Sequence, residues 1–141
     1  LAGKPVAIRN PNAVRPWQHV LDPSSGYLLL AEKLWSEGGK FAEAWNFGPD
    51  DSDAKPVQWI VERIAEEWGR PGAWAPDKGA HPHEATYLAL DCAKAKERLG
   101  WRPRWSLDRA LDAVSEWYRA YQGGKEVAPL MLRQITEYQG K

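Results

Sequence analysis

The sequence has little of what several classes of protein require. Its single cysteine, Cys92, cannot form an internal disulfide, which argues against a disulfide-stabilised secreted scaffold. No apolar run approaches the length needed to cross a membrane. Nineteen basic residues balance nineteen acidic ones, so the composition does not indicate a protein that binds nucleic acid or a membrane surface. We therefore expect a cytoplasmic protein.

Motifs for catalysis are also missing. The chain has no glycine-rich strand-to-helix turn for a dinucleotide, no nucleophile elbow and no phosphate loop. The Tyr-x-x-x-Lys spacing occurs once, at Tyr121 and Lys125, but the two glycines between them end the predicted helix. His81 and His83 lack the second pair of ligands that a zinc site needs. The residues alone therefore predict a binding module, with no catalytic residue and no cofactor or metal site of its own.

The pattern of apolar residues predicts an α/β fold in which helices dominate. The 141 residues suffice for one domain with a sizeable core, and we expect a single domain over residues 1–141. Short strands usually need neighbours on both edges, and the chain begins with Leu1, so we expect a piece of a longer protein. The predicted elements are strands at 5–8, 44–48 and 86–90, and helices at 22–37, 57–68, 91–99, 106–122 and 129–138.

Several local signals define the helices. Asp22 before Pro23 predicts a helix start with Asp22 as the N-cap, and Asp91 and Ser106 are predicted caps of two later helices. Prolines predict a loop over 72–83. Apolar residues cover more than one face of the first helix, which predicts burial on two sides. These residues are Tyr27, Leu28, Leu29, Leu30, Ala31, Leu34 and Trp35.

Arg15 is a candidate ligand for a diphosphate. It lies between two predicted elements, beside Pro16, whose ring fixes the local backbone. A guanidinium group can bind two phosphate oxygens at once, which a lysine ammonium group cannot do. The alternative is a surface arginine in an ordinary ion pair.

Asn46 lies in the otherwise apolar predicted strand Trp45–Gly48. A buried amide needs hydrogen-bond partners, so Asn46 either holds neighbouring backbone in place or reaches a ligand. The polar segment 81–84 is predicted as a loop that could contact a ribose or a base.

Four segments resemble the extended short-chain dehydrogenase/reductase family, in its NAD-dependent epimerase/dehydratase branch. They are residues 8–22, 45–49, 83–91 and 95–103. The last segment contains Leu-Gly-Trp-x-Pro, a signature that is widespread among sugar-nucleotide epimerases and dehydratases. The combination of Arg-Pro-Trp-Gln-His-Val with Asn-Phe-Gly-Pro is more particular to family members that act on CDP-glucose.

The resemblance implies a C-terminal, substrate-binding part whose Rossmann half lies outside this chain. In such enzymes the Rossmann half holds NAD, so no cofactor is expected on this chain alone. The implied parent is a homo-oligomeric lyase that converts CDP-glucose to CDP-4-keto-6-deoxyglucose. The alternatives are the C-terminal domain of another nucleotide-sugar epimerase or dehydratase, and a non-catalytic module that binds sugar nucleotides.

The resemblance also implies five substrate-binding residues. Arg15 matches the arginine that faces the diphosphate, and Asn46 matches the asparagine beside it. His83, Glu84 and Tyr87 lie in the stretch near the nucleotide, where some relatives carry arginine at the position of Thr86 or Tyr87.

Overall fold

The structure, a computed structural model, describes residues 5–140. Helices dominate, and each described strand has three residues, which confirms the predicted helix-rich α/β class. Shorter helical turns occur at Gly38–Phe41, Asp51–Asp53 and Ala95–Leu99. The main elements are β1 (Val6–Ile8), β2 (Val14–Pro16), α1 (Leu21–Glu37), β3 (Ala54–Pro56), α2 (Val57–Glu67), β4 (Trp74–Pro76), α3 (Leu107–Gln122) and α4 (Ala128–Gln139).

The described residues divide into two compact units. The first unit contains residues 5–16 and 54–89, and the second contains residues 17–53 and 90–140. Each is described by itself below. The single domain expected over residues 1–141 stays a prediction.

Two short strand pairs and α2 form the first unit. β1 pairs in parallel with β4, and β2 pairs antiparallel with β3. The predicted amphipathic helix is confirmed as α2, which buries Ile60 and Ala65. It ends just before Gly69, whose φ of 65° is a left-handed conformation that glycine adopts without strain.

Two predictions for the first unit need correction. The predicted loop 72–83 contains β4, and the predicted strand 86–90 contributes only a single bridge, between Tyr87 and Val14. A three-residue strand is stabilised by its partner strand rather than by its own sequence, so local patterns do not reveal it. For the same reason β3 was not predicted.

The second unit has an aromatic core. The Phe47 and Trp101 rings meet edge to face with centroids 5.1 Å apart, a favourable arrangement for two aromatic side chains. A Cβ atom on Gly26 would lie 2.3 Å from the Phe47 ring, so only glycine allows α1 to approach this closely. The buried core residues are Phe41, Phe47, Cys92, Ala95, Leu99 and Trp101.

Helix α1 differs from its prediction in two respects, although its end at Glu37 is confirmed. Asp22 is not the N-cap: it is completely buried, and its Oδ1 atom accepts hydrogen bonds from the Arg104 amide at 2.8 Å and the Tyr138 hydroxyl at 2.7 Å. The prediction that α1 is buried on two sides is also wrong. Leu29 and Leu30 pack on the core, but the opposite side is exposed, with Trp35 94% accessible.

Residues 44–48 do not form the predicted strand. Side chains satisfy this backbone in place of a neighbouring strand: Gln18 Nε2 donates to the Phe47 carbonyl at 2.9 Å, and the Gly48 amide donates to Cys92 Sγ at 3.0 Å. The segment is therefore an extended stretch held by side chains, although Phe47 and Gly48 are buried as expected.

The predicted helix 91–99 is reduced to a turn at Ala95–Leu99, and its N-cap is Lys94 rather than Asp91. The predicted cap Ser106 and the helix that follows it are confirmed. Asp91 Oδ1 accepts from the Ala93 amide at 2.9 Å, and Ser106 Oγ accepts from the Arg109 amide at 3.3 Å. Helix α4 lies where the weaker pattern at 129–138 placed it. None of the helices in residues 5–140 is long and apolar enough to cross a membrane.

Candidate functional site

The backbone around β2 positions Arg15 in the first unit. β2 and β3 form a two-stranded ribbon in which Arg15 lies directly opposite Lys55. The loop before β2 is anchored to α2, because the amides of Val57 and Gln58 donate to carbonyls of that loop at 3.0 and 2.9 Å. Ala13, just before the strand, is 1% exposed. Arg15 therefore projects from a backbone fixed on both sides.

The same loop excludes a dinucleotide site at the start of α2. A dinucleotide pyrophosphate binds to free amides at a glycine-rich helix start. At the start of α2, the first amides already donate to the carbonyls of Ala13 and Pro11, and the junction Ala54–Val57 has no glycine. The NAD implied by the resemblance therefore does not fit this strand-to-helix junction.

Arg15 is paired with Glu84. Arg15 Nη2 donates to Glu84 Oε1 at 2.6 Å, and Arg15 Nη1 donates to its neighbour's carbonyl, on Val14, at 2.8 Å. The Arg15 side chain is 19% exposed and that of Glu84 is 44% exposed. The hydrogen bond from Arg15 lowers the pKa of Glu84, with Arg9 adding to the effect. The ion pair considered as an alternative for Arg15 is thus present, and its partner is another predicted site residue.

The segment that carries the other predicted contacts runs beside β2. The Val14 amide donates to the Thr86 carbonyl at 2.8 Å, and the Leu88 amide donates to the Val14 carbonyl at 3.1 Å. This pairing brings His83, Glu84 and Tyr87 to the edge of the strand that carries Arg15. All three are exposed, Tyr87 by 62%.

Asn46 lies in the second unit and is exposed, so the expectation of a buried amide is wrong. Its Nδ2 atom donates to the Asp91 carbonyl at 3.1 Å. Asn46 therefore holds neighbouring backbone in place, which is one of the two alternatives weighed for it. Its role as a ligand contact stays a prediction.

Sequence reasoning missed Lys55. The residue lies in β3, which local patterns did not reveal, and only the register with β2 places it opposite Arg15. Lys55 is half-buried, and no signal in the sequence distinguishes it from the other lysines. Among residues 5–140, no three His, Cys, Asp or Glu side chains are grouped as metal ligands would be. His81 instead contacts Asp77, with Nε2 3.1 Å from Oδ2.

The chain was compared with protein families and with proteins of known function. No protein-family model matches the chain. The chain is 49% identical over 133 residues to CDP-glucose 4,6-dehydratase of Salmonella typhimurium, an alignment that covers 94% of this chain and 37% of the relative. It is 30% identical over 118 residues to dTDP-glucose 4,6-dehydratase of Streptomyces antibioticus, covering 75% of this chain and 30% of that protein.

Solved structures show the same fold. The crystal structure of dTDP-glucose 4,6-dehydratase from Bacillus anthracis, in complex with NAD, matches with a TM-score of 0.67 at 22% identity, over 91% of this chain and 38% of that one. The resemblance to the extended short-chain dehydrogenase/reductases is confirmed. UDP-N-acetylglucosamine 4-epimerase from Bacillus cereus matches with a TM-score of 0.60 at 20% identity, over 83% of this chain and 39% of that one.

The matched region is the C-terminal part of these dehydratases and epimerases. The chain spans less than two fifths of the length of each of these relatives. The described residues therefore contain five candidate substrate contacts, four of which lie in the first unit.

Proposed function

We propose that the chain is the substrate-binding portion of an NAD-dependent CDP-glucose 4,6-dehydratase. The observation that carries the proposal is the 49% identity to the Salmonella CDP-glucose enzyme over nearly the whole of this chain. The match to a dTDP-glucose enzyme is weaker, at 30% identity over a shorter alignment. CDP-glucose is therefore the favoured substrate, and CDP-4-keto-6-deoxyglucose is the product of the complete enzyme.

In this function Arg15 binds the diphosphate of the substrate. Its guanidinium group is held by the Val14 carbonyl and offers a second nitrogen to an anion, at present the Glu84 carboxylate. Charge-assisted hydrogen bonds of this type contribute roughly 1.5–3 kcal/mol each. A diphosphate binds by taking the place of the carboxylate, and His83, Glu84 and Tyr87 then line the nucleotide.

The chain alone is proposed to bind and orient, not to catalyse. The resemblance places NAD on the Rossmann half of the complete enzyme, and the occupied amides at the start of α2 support that assignment. The cytoplasmic location and the homo-oligomeric state of the complete protein remain predictions.

The direct test is a turnover assay of the complete protein that carries this chain, with CDP-glucose, UDP-glucose and dTDP-glucose in parallel. We expect the 4-keto-6-deoxy product from CDP-glucose and from neither of the others. Turnover of dTDP-glucose or UDP-glucose in its place would assign the chain to another dehydratase or epimerase. The 141-residue chain, assayed beside it with NAD added, should give no product.

A further inference from the structure

Helix α1 carries a continuous apolar stripe on the side that faces away from the core of the second unit. Its members recur at positions i, i+1, i+4, i+7 and i+8, a spacing that places side chains on one helix face. All are exposed, Leu28 by 68% and Trp35 by 94%. An uninterrupted apolar surface of this kind marks an interface with another folded part. The stripe consists of Tyr27, Leu28, Ala31, Leu34 and Trp35.

The segment 44–48 lies beside this stripe and has open backbone amides. The Tyr27 and Phe47 rings meet edge to face with centroids 5.5 Å apart. Within residues 5–140, the backbone amides of Trp45, Asn46 and Phe47 donate no hydrogen bond, although Phe47 is only 5% exposed. An unpaired amide in a buried residue costs free energy, and a row of unpaired backbone groups is a template for another strand. The segment therefore has the properties of a strand whose neighbour lies outside residues 5–140.

The length of the matched proteins indicates where that neighbour lies. The chain aligns with 37% of the Salmonella CDP-glucose enzyme and 38% of the Bacillus anthracis dehydratase, so most of each protein lies outside the match. Because the matched region is C-terminal, this remainder precedes it. The proposed function places an NAD-binding Rossmann half there. A Rossmann domain is built on an open sheet that has edge strands and carries helices on both faces.

We propose that the α1 stripe and the segment 44–48 are the surface on which the NAD-binding half of the complete enzyme docks. This inference rests on the proposed function, which supplies that half. An edge strand of its sheet pairs with segment 44–48, and the α1 stripe packs on apolar side chains of the same half. Strand addition satisfies the open amides, and docking removes the apolar surface of the stripe from water.

The test is amide hydrogen exchange of the complete protein that carries this chain, with the 141-residue chain in parallel. We expect at least one amide among residues 45–47 to exchange about a hundredfold or more slowly in the complete protein, because strand pairing protects it. The Val14 and Leu88 amides are the control, since they already donate hydrogen bonds within the chain at 2.8 and 3.1 Å. Their exchange should change much less. Exchange of residues 45–47 in the complete protein at the rate of an unstructured peptide would overturn the inference.

Trp35→Ala tests the stripe. It should lower the thermal midpoint of the complete protein by at least about 4 °C and leave that of the 141-residue chain unchanged, because only the complete protein buries the ring. Glu32→Ala is the matched control, at an exposed residue of α1 outside the stripe, and should change neither midpoint. An unchanged midpoint of the complete protein in Trp35→Ala would contradict the proposed contact.

Three further outcomes separate this inference from its alternatives. Slow exchange of residues 45–47 in the 141-residue chain that becomes slower with chain concentration would assign the surface to a second copy of the chain and overturn the inference. CDP-glucose turnover by a complete protein in which those amides exchange freely would leave the proposed function intact and remove only the docking surface. Turnover of dTDP-glucose alone, with those amides protected, would overturn the proposed substrate and support the docking.

Discussion

Arg15 and Glu84 form an ion pair of 2.6 Å across 69 positions of the sequence. The residue proposed to bind the diphosphate thus already holds an internal carboxylate. A substrate phosphate and Glu84 compete for the same guanidinium nitrogen. This competition affects the affinity for anions that have no sugar or base. The affinity for such an anion can therefore be measured without any contribution from contacts to the sugar or the base.

Glu84→Gln should strengthen the binding of inorganic pyrophosphate. The substitution keeps the shape of the side chain but removes the charge that competes for Arg15. Exposed ion pairs contribute about 0.2–1 kcal/mol, so the affinity should rise by up to about fivefold. Pyrophosphate has no ribose, which separates this effect from any contact of Glu84 with the nucleoside.

Glu43→Gln is the control for that measurement, because Glu43 pairs with Lys94 and Arg98 on the surface of the second unit. Its affinity for pyrophosphate should equal that of wild type. Unchanged or weaker binding in Glu84→Gln would show that Glu84 does not compete at this site.

Tyr138→Phe should destabilise the second unit. The Tyr138 hydroxyl donates to the buried carboxylate of Asp22 at 2.7 Å and lies 3.0 Å from Ser25 Oγ. Removing it leaves Asp22 Oδ1 with one donor, the Arg104 amide, at a cost of about 1–3 kcal/mol in the free energy of unfolding. Urea denaturation measures this, with Tyr118→Phe, at an exposed tyrosine, as the control. Equal midpoints for the two variants would contradict the expectation.

The same hydroxyl predicts a loss of stability at alkaline pH. Burial raises the pKa of Tyr138 from 10.0 to about 12. Because the folded state favours the protonated phenol, its contribution is complete below pH 10 and is lost as the pH rises through about 12. Tyr138→Phe should therefore flatten the fall of the urea midpoint with pH in this range. A fall as steep as that of wild type would exclude Tyr138 as its cause.

Truncation of two tryptophans of the second unit should change the free energy of unfolding by very different amounts. Trp101 is 4% exposed, packs on Phe47 and donates through Nε1 to Ser25 Oγ at 2.9 Å. Trp101→Ala should cost about 3–5 kcal/mol. Trp35 is 94% exposed, so Trp35→Ala should stay within about 0.5 kcal/mol of wild type in the 141-residue chain. A large loss for Trp35→Ala would show that α1 buries its outer face after all.

What the sequence predicts well here is what is local. Helix α2 follows from its own stripe of apolar residues, and the cap at Ser106 follows from one side chain and an amide three residues after it. The side chain of Asp22 has the chemistry of a cap too. Its carboxylate instead accepts hydrogen bonds from the Arg104 amide and the Tyr138 hydroxyl, 82 and 116 positions away. The sequence near Asp22 does not predict those partners.

The candidate site shows the same division. Arg15 was predicted from its residue type and position, and Glu84 was implied by the resemblance. Their contact depends on the pairing of Val14 with Tyr87 beside β2. Lys55 was not predicted as a site residue because its strand, β3, has three residues and is stabilised by pairing with β2. Asn46 seemed buried because its neighbours are apolar, whereas its own side chain is exposed beside the Asp91 carbonyl.

The most direct test of the account is the affinity of the 141-residue chain for CDP, measured by calorimetry for wild type and Arg15→Ala. Loss of a charge-assisted contact predicts at least about tenfold weaker binding in the variant. Arg70→Ala, at an exposed arginine of the same unit, should bind CDP as wild type does. Equal CDP affinity for wild type and Arg15→Ala would contradict the claim that Arg15 binds the diphosphate.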